Sequence, residues 1–212
     1  MTSRTIKEVR NDYLLSMGSE LGMRFFELSR KLTELHVRWQ QYRQLFGADE
    51  ETIRLLNRTA GLFFKIVQDE LWDSVLLGIS KMTDSPATGS NKNLTVLSLP
   101  PLIKDDALKI ELEKLCGTAQ TKARFAREHR NKRIAHQDHN YMTDRSSNPL
   151  SEVSRALVED MLDSLRNVLN RLEHHFRDST VMYQNFVDES GARVLVNKLR
   201  RMERLVEEQK KL

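Results

Sequence analysis

Phe25-Phe-Glu-Leu-Ser-Arg-Lys-Leu-Thr-Glu-Leu-His-Val-Arg-Trp39 decides the fold class. Phe25, Leu28, Leu32, Leu35 and Trp39 return at threes and fours, with Glu27, Arg30, Lys31, Glu34 and Arg38 between them. A period of about 3.6 residues gathers the apolar side chains on one stripe of an α-helix, whereas a half-buried strand would alternate at every second position. The stripe extends outward to Leu21 and Met17 on one side and to Tyr42 and Phe46 on the other. It spans about eight turns. The spacing therefore predicts one long bundle helix that ends at Gly47.

Ala48-Asp49-Glu50 then supplies a capping residue and first-turn acids for a second helix. Its face is Ile53, Leu56, Ala60, Phe63, Val67, Leu71, Val75 and Met82, and Thr83-Asp84-Ser85-Pro86 stops it because Pro cannot continue a helix. Two long helices on a short connection pack antiparallel. Residues 87–103 read as a loop that tucks Leu94, Val96, Leu97 and Leu99 against the bundle. A third helix starts near Lys104-Asp105-Asp106, carries Leu108, Leu112, Leu115, Ala119, Ala123 and Ala126, and enters a basic stretch. Asn140 to Asn148 has a loop's composition, and Pro149 suits the first turn of a fourth helix with Val153, Leu157, Met161, Leu165, Val168, Leu172 and Phe176.

The expectation is an all-α, up-and-down helical bundle of four main helices plus a C-terminal helix. The bundle domain is read as 1–187, and 188–212 as an amphipathic basic helix that docks on the bundle or pairs with a copy of itself. Trp39, Trp72, Phe63 and Phe64 lie on helix stripes and are expected in the core. With 39% apolar and 30% charged residues, eight Gly and four Pro, the composition lacks the many turns of a β-sandwich or barrel. The single cysteine, Cys116, excludes an intrachain disulfide and reads as a small core residue. No apolar run approaches 18 residues, so no membrane span is expected, and the protein is read as cytoplasmic.

Charge is concentrated in one place. From Lys122 to Arg145 seven Lys or Arg face three acids, a surplus of +4, which equals the formal net charge of the whole chain. Within it lies Arg124-Phe-Ala-Arg-Glu-His-Arg-Asn-Lys-Arg-Ile-Ala-His136-Gln-Asp138. In an α-helix Arg130 and His136 fall on faces about 120° apart, so one helix does not bring them into contact. Arg130 shares a face with Arg127 and Ile134, and Lys132 and Arg133 with His136. Cations around one histidine disfavour the imidazolium and keep the ring neutral, the form that a general base needs. RNA cleavage by the 2′-hydroxyl needs a base, an acid and cations for the phosphate. A two-fold dimer with two copies of Arg130 and His136 in one cleft would supply all of them without a metal or cofactor.

At these residues the chain resembles the HEPN superfamily, whose motif is an Arg, a polar residue and a downstream His: here Arg130, Asn131 and His136. Two further stretches are similar to its abortive-infection, AbiU-type branch: Glu70-Leu-Trp-Asp-Ser-Val-Leu-Leu-Gly-Ile-Ser-Lys-Met-Thr-Asp84, and the Asn93-Leu-Thr that follows a polar loop. The resemblance covers roughly residues 10 to 180. It implies a dimeric, metal-independent endoribonuclease, often a toxin or phage-defence effector, with Arg130, Asn131 and His136 catalytic and RNA as substrate. Arg127, Lys132 and Arg133 are then candidates for holding the RNA backbone. A small nucleotidyltransferase is the kind of antitoxin partner that some members have.

Other readings of the same residues stay open. The Arg/Lys cluster can complement a helix dipole, and His136 can cap a helix end. His129, His136 and His139 lack a metal-ligand spacing with a second ligand pair. His174-His175 reads as a solvated helix end, and Asp69, Glu70, Asp73 and Asp84 as capping or salt-bridging carboxylates. The alternative function is a non-catalytic helical module that binds nucleic acid, a nucleotide or a protein partner.

Overall fold

Phe25, Leu28, Leu32 and Leu35 are each at most 1% exposed, as the stripe requires. The computed structural model describes residues 4–134, 153–185 and 189–210. Its architecture is an all-α helical bundle in which α1 (Ile6–Met17), α2 (Ser19–Phe46), α3 (Glu50–Thr83), α4 (Asp106–Lys122), α5 (Arg124–His129), α6 (Arg155–Arg177) and α7 (Ala192–Gln209) follow in order. A two-residue hairpin, β1 (Ala87–Thr88) with β2 (Asn91–Lys92), pairs Ala87 with Lys92. Two 3₁₀ turns, Val96–Ser98 and Pro100–Leu102, lead into α4. The loop expected from Asn140 to Asn148 and the helix start at Pro149 lie outside the described residues. No described helix is long and apolar enough to cross a membrane.

The chain divides into two compact units: Met1–Leu35 with Leu76–Tyr183, and His36–Val75 with Gln184–Leu212. In the first unit α4 and α6 lie antiparallel. Lys122 meets Asp160 at 2.6 Å and Arg171 meets Glu111 at 2.6 Å, one ion pair toward each end. Between them Leu108, Leu112, Cys116 and Ala119 of α4 and Val158, Met161, Leu165, Val168 and Leu172 of α6 are buried. Each such large side chain contributes about 1.5–3 kcal/mol on leaving water. Asp105 caps α4, its carboxylate accepting from the Leu108 amide at 2.7 Å, and the Ser154 hydroxyl does the same for α6 from Leu157 at 3.2 Å. α1 is held by its buried Tyr13, over whose ring the Arg177 guanidinium sits at 4.4 Å.

In the second unit an aromatic group gathers Trp39, Tyr42, Phe46 and Trp72, with Trp39 stacked on Tyr42 at 5.3 Å and Tyr42 against Trp72 at 5.1 Å. Leu45, Leu55, Leu56, Phe64, Ala192 and Val196 form a core cluster against which Phe46 also packs, so α7 docks by its apolar edge. The first amides of α7 lack a side-chain cap of their own. Gln41 accepts from Ala192 at 2.6 Å and Gln44 from Arg193 at 3.0 Å instead. Farther along α7, Arg200 donates to Thr52 at 2.8 Å, and Glu203 pairs with Arg58 at 2.7 Å.

Five details differ from the sequence reading. The first helix is broken at Gly18 (φ 82°, ψ 166°), which separates α1 from α2. α3 kinks at Ala60 (φ −161°, ψ 66°), beside Gly61 and after Thr59, whose hydroxyl donates to the Leu55 carbonyl at 2.8 Å. Next to the kink Phe64 is buried and Phe63 is 59% exposed, so Phe63 is not a core residue. Leu94 is likewise exposed, because the chain turns inward only from Thr95, and Leu157 is exposed because Val158 takes the inward position of α6.

Candidate active site

The basic stretch is built on a helix that changes character as it ends. The buried series Cys116, Ala119, Ala123 and Ala126 keeps helical spacing, yet at Ala123 the backbone opens (φ −77°, ψ 3°) and divides α4 from α5. Phe125, Ala126 and His129 form the buried face of α5, which leaves Arg124 exposed and Arg127 half-buried. Arg130–Ile134 then forms a π-helical turn. Such turns close i→i+5 bonds, are rare and often mark functional sites. The 120° separation inferred for Arg130 and His136 assumed α-helical geometry from Arg130 onward. The π turn replaces that geometry over Arg130–Ile134.

The turn faces the end of α3. Arg130 Nη1 donates to the Asp84 carboxylate, and its Nε donates to Asn131 Oδ1 at 3.0 Å. Both members of the Arg130–Asp84 pair keep about a quarter of their side-chain surface exposed (24% and 25%), so the guanidinium is seated but reachable. One helical turn earlier, Arg127 Nη1 donates to the Thr83 carbonyl at 3.3 Å and to Thr83 Oγ1 at 3.4 Å, while its Nη2 donates to the Gln120 carbonyl at 2.5 Å. A cation on these carbonyls satisfies groups that a helix C-terminus leaves without partners. Lys132 pairs with Glu128 at 3.1 Å, four residues back. Asn131 and Arg133 are exposed.

The local field is cationic, with the Asp84 and Glu128 carboxylates in it. Burial holds the Arg127 guanidinium below its ordinary range; Asp84 opposes this effect, and Arg130 and Arg124 add to it. The backbone around Asp84 is pinned on the hairpin side. Asn93 Nδ2 donates to the Ser85 carbonyl and to Thr88 Oγ1, each at 2.9 Å, and the Asn93 amide donates to the Pro86 carbonyl at 2.8 Å. Next in the chain, Cys116 Sγ donates to the Val96 carbonyl at 3.4 Å and ties the first 3₁₀ turn to α4.

The structure thus brings Arg127, Arg130 and Asn131 to one corner, while Lys132 is engaged by Glu128. His136, with Ala135 and Gln137 to His139, lies outside the described residues. The ends of the three stretches singled out in the sequence meet: Thr83 and Asp84 from the first, Asn93 from the second, Arg130 and Asn131 from the third. Sequence reasoning places Asp84 in the helix stop, at the end of the first AbiU-type stretch and among the capping or salt-bridging carboxylates, but does not pair it with Arg130. It had no signal for the Arg127 cap either, because both contacts reach more than forty positions along the chain. Among the described residues no three His, Cys, Asp or Glu side chains gather in a group that could hold a metal ion.

No curated protein and no solved structure matches the chain. The family model described as AbiU2, of the HEPN type, matches residues 19–195, from the start of α2 into the first turn of α7. That span is most of the chain and contains Asp84, Asn93, Arg130, Asn131 and His136, and so the protein belongs to the AbiU2 family of HEPN proteins.

Proposed function

We propose that the protein is a metal-independent endoribonuclease of the HEPN type, active as a homodimer in the cytoplasm and serving as a toxin or phage-defence effector. The observation that supports this reading is the seat of Arg130: a guanidinium held at a fixed corner by Asp84 and Asn131, partly exposed, on a cationic π turn. An arginine held in this way can meet the non-bridging oxygens of a phosphate without reorganising.

In the proposed reaction, His136 of one protomer takes the proton of the ribose 2′-hydroxyl. The 2′-oxygen bonds to phosphorus, the bond from phosphorus to the 5′-oxygen breaks, and the second protomer's copy of the same histidine gives that oxygen a proton. The products are a 2′,3′-cyclic phosphate and a 5′-hydroxyl. Arg130 offsets the charge gathering on the phosphate, Asn131 orients Arg130, and Lys132 and Arg133 hold the backbone on either side. Arg127 supports the frame beneath Arg130 through its carbonyl contacts. An antitoxin of the small nucleotidyltransferase kind is the partner this role calls for.

The test is incubation of wild type and His136→Ala with total RNA in EDTA. Wild-type cleavage that the variant lacks is expected; equal cleavage by both, or none by either, rejects catalysis at this site. The engagement of Arg130 by Asp84 and of Lys132 by Glu128 also favours a second reading, in which the basic surface binds nucleic acid without cutting it. Binding that weakens steeply with salt while the RNA stays intact selects that alternative.

A further inference from the structure

Asp84 is held on both sides by contacts that do not involve its own side chain. Before it, Thr83 is fixed by the Arg127 guanidinium at 3.3 Å and by its own hydroxyl bond to the Ile79 carbonyl at 2.9 Å. After it, the carbonyls of Ser85 and Pro86 accept from the side chain and the amide of Asn93 at 2.9 and 2.8 Å. The carboxylate is therefore carried on a short backbone segment with fastened ends.

A guanidinium is a planar fork of five donors. A contact at Nη1 from Asp84 and one at Nε from Asn131 act at two different nitrogens, which fixes the plane as well as the position. Among the described residues these contacts leave the Nη2 edge for an anion. Arg127 already caps α3, so the Arg130–Asp84 pair is not what completes that helix end. A carboxylate so near also repels a phosphate, and it weakens ground-state RNA binding rather than helping it.

We infer that Asp84, braced by Arg127 and Asn93, is the positioning residue that aims the Arg130 guanidinium at the scissile phosphate. This rests on the proposed ribonuclease activity and adds to it a residue outside the Arg-to-His motif. Its signature is a split in the kinetic constants. Losing the carboxylate releases the arginine, and misplacement of about 1 Å costs about 10²-fold in turnover. The same loss removes a repelling charge, so KM for RNA stays level or falls.

The experiment uses the full chain with a labelled single-stranded RNA as probe, comparing wild type, Asp84→Ala and Asp84→Asn. The alanine variant is expected to lose about 10²-fold in kcat with KM not raised. Asp84→Asn keeps an acceptor oxygen of the same size, so kcat recovers at least tenfold over alanine, and it also serves if the alanine variant does not fold. A second readout needs no catalysis: the Arg130 Nε–H resonance, assigned by its loss in Arg130→Lys, is expected to broaden in Asp84→Ala. Wild-type kcat in Asp84→Ala, or an unchanged Arg130 resonance, overturns the inference. If wild type cleaves no RNA, the ribonuclease reading fails and the catalytic part of the inference with it, while the resonance still decides whether Asp84 fixes Arg130.

Discussion

Gly22 of α2 lies directly against the backbone of Tyr13 in α1: a Cβ on Gly22 would stand 2.4 Å from the Tyr13 carbonyl oxygen and 2.8 Å from its carbon. The two helices cross where only a hydrogen fits between them. The neighbouring Gly18 solves a different problem, since a Cβ there meets nothing within 4 Å but the backbone sits at φ 82°. Gly22→Ala is expected to destabilise the protein by about 1–3 kcal/mol through overpacking. Gly18→Ala is expected to cost about 1–3 kcal/mol through backbone strain alone. Urea unfolding measures both, and a midpoint equal to wild type in either variant contradicts the packing described.

Asp49 provides a pH-dependent cap on α3. Its carboxyl lies below the ordinary value of 3.8, chiefly because it accepts from the Thr52 amide at 2.6 Å, with Arg200 adding to the effect. A carboxylate with a lowered folded-state pKa stabilises the protein above its unfolded pKa, and that contribution is lost as pH falls through the folded value. Asp49→Ala should therefore melt below wild type at pH 7, and the gap should close below about pH 4. A gap that stays constant from pH 7 to pH 3 rules out the charged cap.

Cys116 reports on opening of the α4 region. It is 1% exposed, and burial, helped by the charge of Glu113, pushes its thiol up to about 12. The reactive thiolate is therefore scarce at pH 8. A disulfide reagent should leave the native chain unlabelled over the time in which the denatured chain reacts fully. Immediate labelling of native protein would show that the 3₁₀ turn at Val96 does not cover α4 as described.

Variants of Arg127 and Arg133 are expected to separate structure from binding. Arg127→Ala removes three hydrogen bonds to oxygens of Thr83 and Gln120, and should cost about 1–2 kcal/mol while leaving the salt dependence of RNA binding unchanged. Arg133→Ala should reduce the slope of log affinity against log salt by about 0.7, one phosphate contact on a single strand. Filter binding across a salt series distinguishes them; the opposite assignment of the two effects would reverse their roles.

The sequence was most legible where one helix face does one job. Phe25, Leu28, Leu32 and Leu35 were readable as core, as were Met161, Leu165, Val168 and Leu172, because burial on a straight helix repeats with the helix period. The break at Gly18 escaped that reading: Met17 and Leu21 are four apart, so the stripe continues in phase across a residue whose backbone departs from the helix. Phe63 is misplaced for a related reason: next to the Ala60 kink Phe64 takes the buried position, while Val75 and Met82 farther along are buried as the stripe predicts. At the site, local pattern picked out Arg130 and Asn131, but the partner of Arg130 lies 46 positions away. No periodicity encodes such a pairing. It follows from where α3 stops and where the π turn begins.

The placement of α7 sets an order of events during synthesis. Leu45, Leu55, Leu56 and Phe64 are covered by Ala192 and Val196, which leave the ribosome roughly 130 residues after Phe64. At about 5–20 residues per second that is a wait of roughly 6–25 s, in which the middle of the nascent chain carries an apolar face with no lid. Until α7 is made, the protein passes through a stage in which the face intended for that helix is open to any other apolar surface nearby.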